Sequence, residues 1–280
     1  MKFQSQKMNL VSVRLVLRNE VNEVHVCRNL NDKSGGLYTV ICVKDHSYVK
    51  NFLAVCEQTK GNEDFFVDCF SDGENQIIVF PYVKERPLEA FYRPDILSLP
   101  ECEDICINTI IACMSTPLPW PLLYLALAQR QLHLSRDGSV YLGYLIDLQE
   151  LDVTRTEKDC TVQCATLLLE MLRPKESRHA NSLKLLEKKV AKESYIRFVE
   201  LYKDIRISAA PKKKAGLLRR IRLWFVRNKD ILFRLLLWLS VILVIFVVLS
   251  FLTQMVFGEV PWLRLFINSF DQIGTESLQQ

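Results

Sequence analysis

From Leu235 to Val256 the chain runs for 22 residues without a charge, a glycine or a proline. A helix rises about 1.5 Å per residue, so such a run matches the roughly 30 Å hydrocarbon core of a bilayer. Core helices of soluble domains are usually shorter and keep a polar stripe over this length. The run predicts a transmembrane helix over residues 231–256, and the rest of the chain must fold on one side or the other of it.

The flanks give that helix a direction. Between Pro211 and Asp230 stand Lys212, Lys213, Lys214, Arg219, Arg220, Arg222, Arg227 and Lys229 against the single acid Asp230, whereas the residues after the helix carry Arg264 against Glu259, Asp271 and Glu276. Lys and Arg close to a membrane helix stay on the cytoplasmic side. The expectation is a single-pass protein of the cell membrane with residues 1–207 as a cytoplasmic domain, 208–230 as a basic juxtamembrane linker and 257–280 as a short outside tail. Arg219, Arg220, Arg222, Trp224, Arg227, Lys229, Arg234 and Trp262 are the expected interface residues, with Arg234 extending its head back toward the basic side. The basic stretch 212–229 is also suited to anionic lipid headgroups.

Charge elsewhere is unremarkable in sign. The net charge is +4, and the basic segment alone contributes +7, so the remainder is about −3 and nothing points to nucleic acid. All nine cysteines (27, 42, 56, 69, 102, 106, 113, 160 and 164) precede the apolar run, the distribution of reduced cytosolic thiols rather than of a disulfide framework. The N-terminus shows no apolar stretch of a cleaved signal.

Along the first 83 residues, β-branched runs and polar turns predict strands at 11–17, 24–27, 37–43, 65–70 and 76–83, with a helix over 45–60 after the third, the order β-β-β-α-β-β. From 84 to 207 the pattern becomes helical: a short piece at 87–92, helices over 101–114, 122–131 and 159–172, two short strands at 131–134 and 140–146, and a last amphipathic helix. Ser182 is its expected cap, and Leu183, Leu186, Val190, Ile196 and Val199 its buried face. Three prolines within 117–121 end the 101–114 helix. These elements make an α+β fold with two lobes, about 1–83 and 84–207.

That order, with two local strings, resembles a protein kinase-like fold. Ile78-Val-Phe-Pro-Tyr-Val-Lys-Glu-Arg-Pro-Leu-Glu-Ala-Phe91 is similar to the kinase fifth strand, hinge and following helix, with Phe80 in the gatekeeper place. Asp159-Cys-Thr-Val-Gln-Cys-Ala-Thr-Leu-Leu-Leu-Glu-Met-Leu172 is similar to the buried helix of the large lobe, and Val140-Tyr-Leu-Gly143 to the strand leading into the metal-binding loop. The plan of such a domain, a basic linker, one membrane helix and an outside part also resembles the EssB/YukC-type membrane component of type VII secretion. That family's outside part is a folded domain, and here it is only residues 257–280.

Phosphoryl transfer needs a glycine-rich loop, a strand lysine, a catalytic carboxylate with its asparagine, and a metal-binding aspartate. The chain has no glycine before Gly35, so the hairpin Arg18–Glu23 is no phosphate loop. The strand-lysine place falls on Ile41, with Lys44 nearby on the other face of the strand. The catalytic-loop region 124–131 has neither carboxylate nor asparagine. Counting from Asp137-Gly138 puts the metal-binding place on Tyr144, and matching Leu145–Gln149 puts it on Asp147. The resemblance therefore implies a pseudokinase-like module with no catalytic residue and no cofactor. Its role would be a membrane-anchored scaffold, signalling or secretion-machinery component that binds cytoplasmic and membrane proteins. Two alternatives stay open: an active kinase or other ATP-binding enzyme with relocated groups, Asp147 and Lys44 foremost, and an α+β adaptor unrelated to kinases.

Cys102 with Cys106 and Cys160 with Cys164 each put two thiols on one helix face. Four such ligands suit zinc, and small apolar side chains packed in a helical lobe have the same spacing. Asp137 reads as a turn residue and Asp159 as a helix cap.

Overall fold

The computed structural model describes residues 1–32, 35–56, 65–91, 97–173, 181–209 and 228–257. The chain divides into two compact units, Met1–Ala215 and Gly216–Gln280. The first is a mixed α/β unit built on a six-stranded antiparallel sheet. Its strands are β1 (Lys2–Gln4), β2 (Asn9–Arg18), β3 (Asn22–Asn29), β4 (Leu37–Val43), β5 (Asp68–Asp72) and β6 (Asn75–Pro81), in the order β1-β2-β3-β4-β6-β5. Helix α1 (His46–Cys56) interrupts the meander after β4. The predicted order thus gains a strand at its start: β1 is too short and polar to show a period, and pairing of Phe3 with Leu10 fixes it.

Side chains alternate across a strand, so the register sorts the sheet into two faces. Cys27, Val40, Cys42, Ile77 and Val79 form one buried face, which Phe3, Met8 and Leu10 cover from the first hairpin. On the other face Phe80 is the hub of an aromatic row. Phe52 of α1 lies 6.5 Å from Phe65, Phe65 lies 6.2 Å from Phe80, and Phe80 stacks on Tyr144 at 4.6 Å and 10°. Among the described residues β1 pairs only with Asn9–Val11, so beyond them β2 is an edge. Two bulges, at Val13 and Val16, and the exposed Arg14 and Arg18 keep that edge from adding another strand.

The remaining elements are a three-stranded sheet, β7 (Arg86–Pro87), β8 (Leu132–Leu134) and β9 (Val140–Leu142), a 3₁₀ turn at Leu88–Phe91, and five helices. These are α2 (Leu99–Ser115), α3 (Trp120–Ala128), α4 (Glu157–Leu172), α5 (Asn181–Val190) and α6 (Phe198–Ser208). Helix α2 starts on a capping box, in which Ser98 and Glu101 exchange bonds.

Two local expectations are corrected. The cap of α4 is Thr156 rather than Asp159; Asp159 stands in the first turn and accepts from the Thr156 N–H at 2.8 Å. The last amphipathic segment is two helices, because the chain turns at 191–197. Ile196 and Val199 are consequently exposed, while Tyr195, Phe198, Leu201 and Ile205 are buried instead. Ser182 lies inside α5 and gives its hydroxyl to the buried Glu103 of α2 at 2.5 Å.

The second unit contains α7 (Lys229–Phe257), whose stretch Ile231–Met255 is long and apolar enough to cross a membrane, and none of that apolar stretch is buried among the described residues. Twenty-five residues extend about 38 Å as a helix, enough for the bilayer core with a modest tilt. Lys229 and Arg234 are exposed at its start. Arg219, Arg220, Arg222, Trp224, Arg227 and Trp262 lie outside the described residues, as does the tail beyond Phe257.

Candidate functional site

Where the β2–β3 hairpin meets the segment after β9, the segment 146–149 is held almost wholly by side chains. Asn22, fully buried at the start of β3, donates from Nδ2 to the Ile146 carbonyl at 3.1 Å and accepts from the Leu148 N–H at 3.0 Å. Gln129, just after α3, accepts from the Asp147 N–H at 2.7 Å and donates to the Asp147 carbonyl at 2.8 Å. Tyr48 of α1 donates to the Gln149 carbonyl at 3.0 Å, and the Asp147 carboxylate accepts from the Gln149 N–H at 2.9 Å. A primary amide presents one donor and one acceptor at about the spacing of a peptide group, so Asn22 and Gln129 act as two short substitutes for a neighbouring strand.

The predicted pair Lys44 and Asp147 meets here through a third residue, which no sequence motif singles out. Asn19, in the hairpin turn, donates from Nδ2 to Asp147 Oδ1 at 2.8 Å, and its backbone carbonyl accepts from Lys44 Nζ at 2.9 Å. The Asn19 side-chain oxygen accepts from the Val21 and Asn22 N–H groups, which sets the turn and aims the amide. Tyr144, the other register for a metal-binding residue, is the ring stacked on Phe80. A Cβ on the preceding Gly143 would lie 2.6 Å from His133 Nε2, so a larger residue there would have to displace the His133 ring, whose Nδ1 bonds the Glu85 carbonyl at 3.0 Å.

Lys44 also pairs with Glu23 at 2.9 Å, and Glu23 takes Arg18 at 3.0 Å and His25 Nε2 at 3.1 Å. Burial alone would raise the Glu23 carboxyl; the bonds from Lys44 and His25, with the Lys44 and Arg18 charges, outweigh it and hold the carboxyl below the ordinary glutamate value. The other ring nitrogen of His25 bonds Ser12 Oγ at 2.9 Å, giving a Ser–His–Glu row. Its chemistry is that of a satisfied core histidine: the Glu23 charge is already shared with two cations, and the Ser12 N–H is spent on the Met1 carbonyl at 3.0 Å.

The two cysteine pairs lie in the helical core. Cys102, Cys106, Cys160 and Cys164 are fully buried on α2 and α4, and Cys160 donates to the Trp120 carbonyl at 3.2 Å. Among the described residues no three His, Cys, Asp or Glu side chains form a group able to hold a metal ion. Contact with Cys113, together with burial, pushes the Cys164 thiol well above its ordinary value, and burial does the same to Cys106. Cys106 and Cys164 are thiols rather than thiolates at neutral pH, which makes them poor nucleophiles. The other acids each serve locally: Asp137 accepts from Ser139, and Asp152 from Thr154.

Compared with known proteins, the sequence matches no family model and is significantly similar to no curated protein.

Proposed function

We propose that this chain is a membrane-anchored scaffold whose N-terminal unit is a pseudokinase-like protein-interaction module, without catalysis of its own. The observation that carries this reading is the commitment of Lys44 and Asp147. The two charged groups closest to the places of a phosphate clamp and a metal ligand are held by Glu23 and Asn19. In the kinase-like arrangement the β2–β3 hairpin would lie over the phosphates, and here Asn19 and Asn22 of that hairpin bond the 146–148 segment directly. Phe80, which the resemblance puts in the gatekeeper place, stacks on Tyr144. A helix long enough to span supplies the anchor, with the N-terminal unit on the cytoplasmic side by the charge of its flanks. The plan is similar to that of the EssB/YukC-type secretion component, which gives one setting for such a scaffold.

The test is a thermal-shift titration of Met1–Ala215 with ATP, with and without magnesium. Saturation at 100 times a dissociation constant would stabilise the fold by about 2.7 kcal/mol, so binding is easily seen. No shift is expected. A magnesium-dependent shift that Asp147→Asn abolishes would instead favour a relocated ATP-binding enzyme.

A further inference from the structure

Within the apolar run, four residues carry hydrogen-bonding side chains of the amide or hydroxyl type: Ser240, Ser250, Thr253 and Gln254. Their spacing on α7 is not scattered. Leu236, Ser240, Leu243, Val247, Ser250 and Gln254 follow one another at intervals of 4, 3, 4, 3 and 4, the seam of a helix that packs along its length on a parallel neighbour. Thr253 borders the seam. The opposite face, including Trp238, Ile242, Ile245, Leu249 and Leu252, is apolar throughout and suits lipid.

We infer that α7 is a self-association helix, and that the occupant of its polar seam is a second copy of the same chain lying parallel to it. This rests on the reading of α7 as a membrane span. Every copy inserts in one direction, so a two-fold pair puts each seam residue beside its own counterpart at the same depth. Like must then match like. The Ser240 and Ser250 hydroxyls donate to the Leu237 and Phe246 carbonyls at 2.7 and 2.8 Å, so each is satisfied within its own helix and meets its counterpart as a small side chain that lets the two backbones approach. Gln254, exposed on α7, supplies donors and an acceptor in one group, so two of them satisfy each other. The one charge within the spanning stretch obeys the same geometry. Arg234 falls on the face away from the seam, so pairing does not bury it. Lys229, in line with the seam, precedes the spanning stretch, where water and salt screen it from its counterpart.

The experiment uses the full chain in phosphatidylcholine–phosphatidylglycerol vesicles, with insertion checked first by flotation after alkaline carbonate. Single cysteines replace seam residues (Ser240→Cys, Leu243→Cys, Val247→Cys) or far-face residues (Ile242→Cys, Ile245→Cys, Leu249→Cys). The chain without added cysteine, oxidised in parallel, sets the background. Disulfide-linked dimer is expected at the seam positions and at background on the far face. In the uncrosslinked chain, the combined variant Ser240→Leu, Ser250→Leu and Gln254→Leu should lower the dimer association constant about tenfold, read by energy transfer at varied lipid-to-protein ratio. Inserted chains that remain monomeric, crosslinks without the 3–4 period, or a combined variant as dimeric as the parent would each overturn the inference while leaving the span intact. A chain that does not insert would overturn both.

Discussion

Replacing Asn22 by alanine removes one side chain and orphans two backbone groups. Its partners, the Ile146 carbonyl and the Leu148 N–H, belong to residues that are 1% and 0% exposed, so water does not readily take its place. Leaving a buried donor or acceptor unmatched costs about 1–3 kcal/mol, so Asn22→Ala should destabilise Met1–Ala215 by about 2–6 kcal/mol. Gln129 makes the same number of bonds, but to Asp147, which is half-exposed and can rehydrate. Gln129→Ala should therefore cost only about 1 kcal/mol. Because both amides hold one short segment, the double variant should cost less than the two single costs together. Equilibrium unfolding in urea measures all three, with Trp120, the sole tryptophan before residue 216, as the fluorescent probe. A cost below about 0.5 kcal/mol for Asn22→Ala, or a Gln129→Ala variant as unstable as Asn22→Ala, would refute the argument from burial.

Two other consequences follow from the same region and from the thiols. The Glu23 carboxyl is held below its ordinary value in the folded unit, so its contribution to stability is complete above the unfolded glutamate pKa and is lost as pH falls through the folded one. Urea midpoints taken between about pH 6 and pH 3 should therefore fall more steeply for the parent than for Glu23→Gln, which at pH 7 should itself cost roughly 2–3 kcal/mol; parallel slopes would remove Glu23 from the account. Among the cysteines at 27, 42, 69, 102, 106, 113, 160 and 164, Cys69 alone is not buried, whereas burial pushes Cys27 up to about 12 and Cys42 up to about 11. A thiol reagent applied to the native unit should label Cys69 well ahead of these two and of the α2 and α4 thiols, as peptide mapping would show, and equal labelling would mean that the helical core opens freely.

Periodicity made most of the fold legible, and chemistry between distant residues made the rest illegible. The strands expected at 37–43 and 76–83 and the helices expected over 101–114 and 159–172 declare themselves because their apolar residues recur at intervals set by the backbone, and each matches an observed element to within a few residues at its ends. Near the end of the N-terminal unit, Ile196 and Val199 fit a helical face by spacing, but the turn at 191–197 puts them in water. Lys44 and Asp147 were visible as isolated charges in the right neighbourhood. Asn19 and Asn22 were not, since asparagine beside a tight turn is adequately explained by the turn, and their second partners lie more than 120 residues away. One signal did point there: Glu23 is a carboxylate set among Val21, Val24 and Val26 in a central strand, and a buried acid requires partners of opposite charge.

Under the proposed pseudokinase-like reading, the junction offers two distinguishable reasons why ATP would fail to bind. If the Asn22 and Gln129 bonds act as a latch over a serviceable cleft, a ligand must first break them, and its apparent affinity falls by the population of the open form. An opening cost of about 4 kcal/mol weakens binding roughly a thousandfold. If instead the cleft lacks the groups that would hold phosphates, opening it gains nothing, because a ligand shifts an equilibrium only by its preference for one state. The second reason is the one we expect under that proposal: the cations at the hairpin, Lys44 and Arg18, are both paired with Glu23, and Ile41, where the resemblance would put the strand lysine, is 1% exposed. Asn22→Ala should thus remain silent to ATP and magnesium in the thermal-shift assay, although its junction is loosened. A shift that appears only in that variant would make the amide pair a latch and the unit a nucleotide binder held shut.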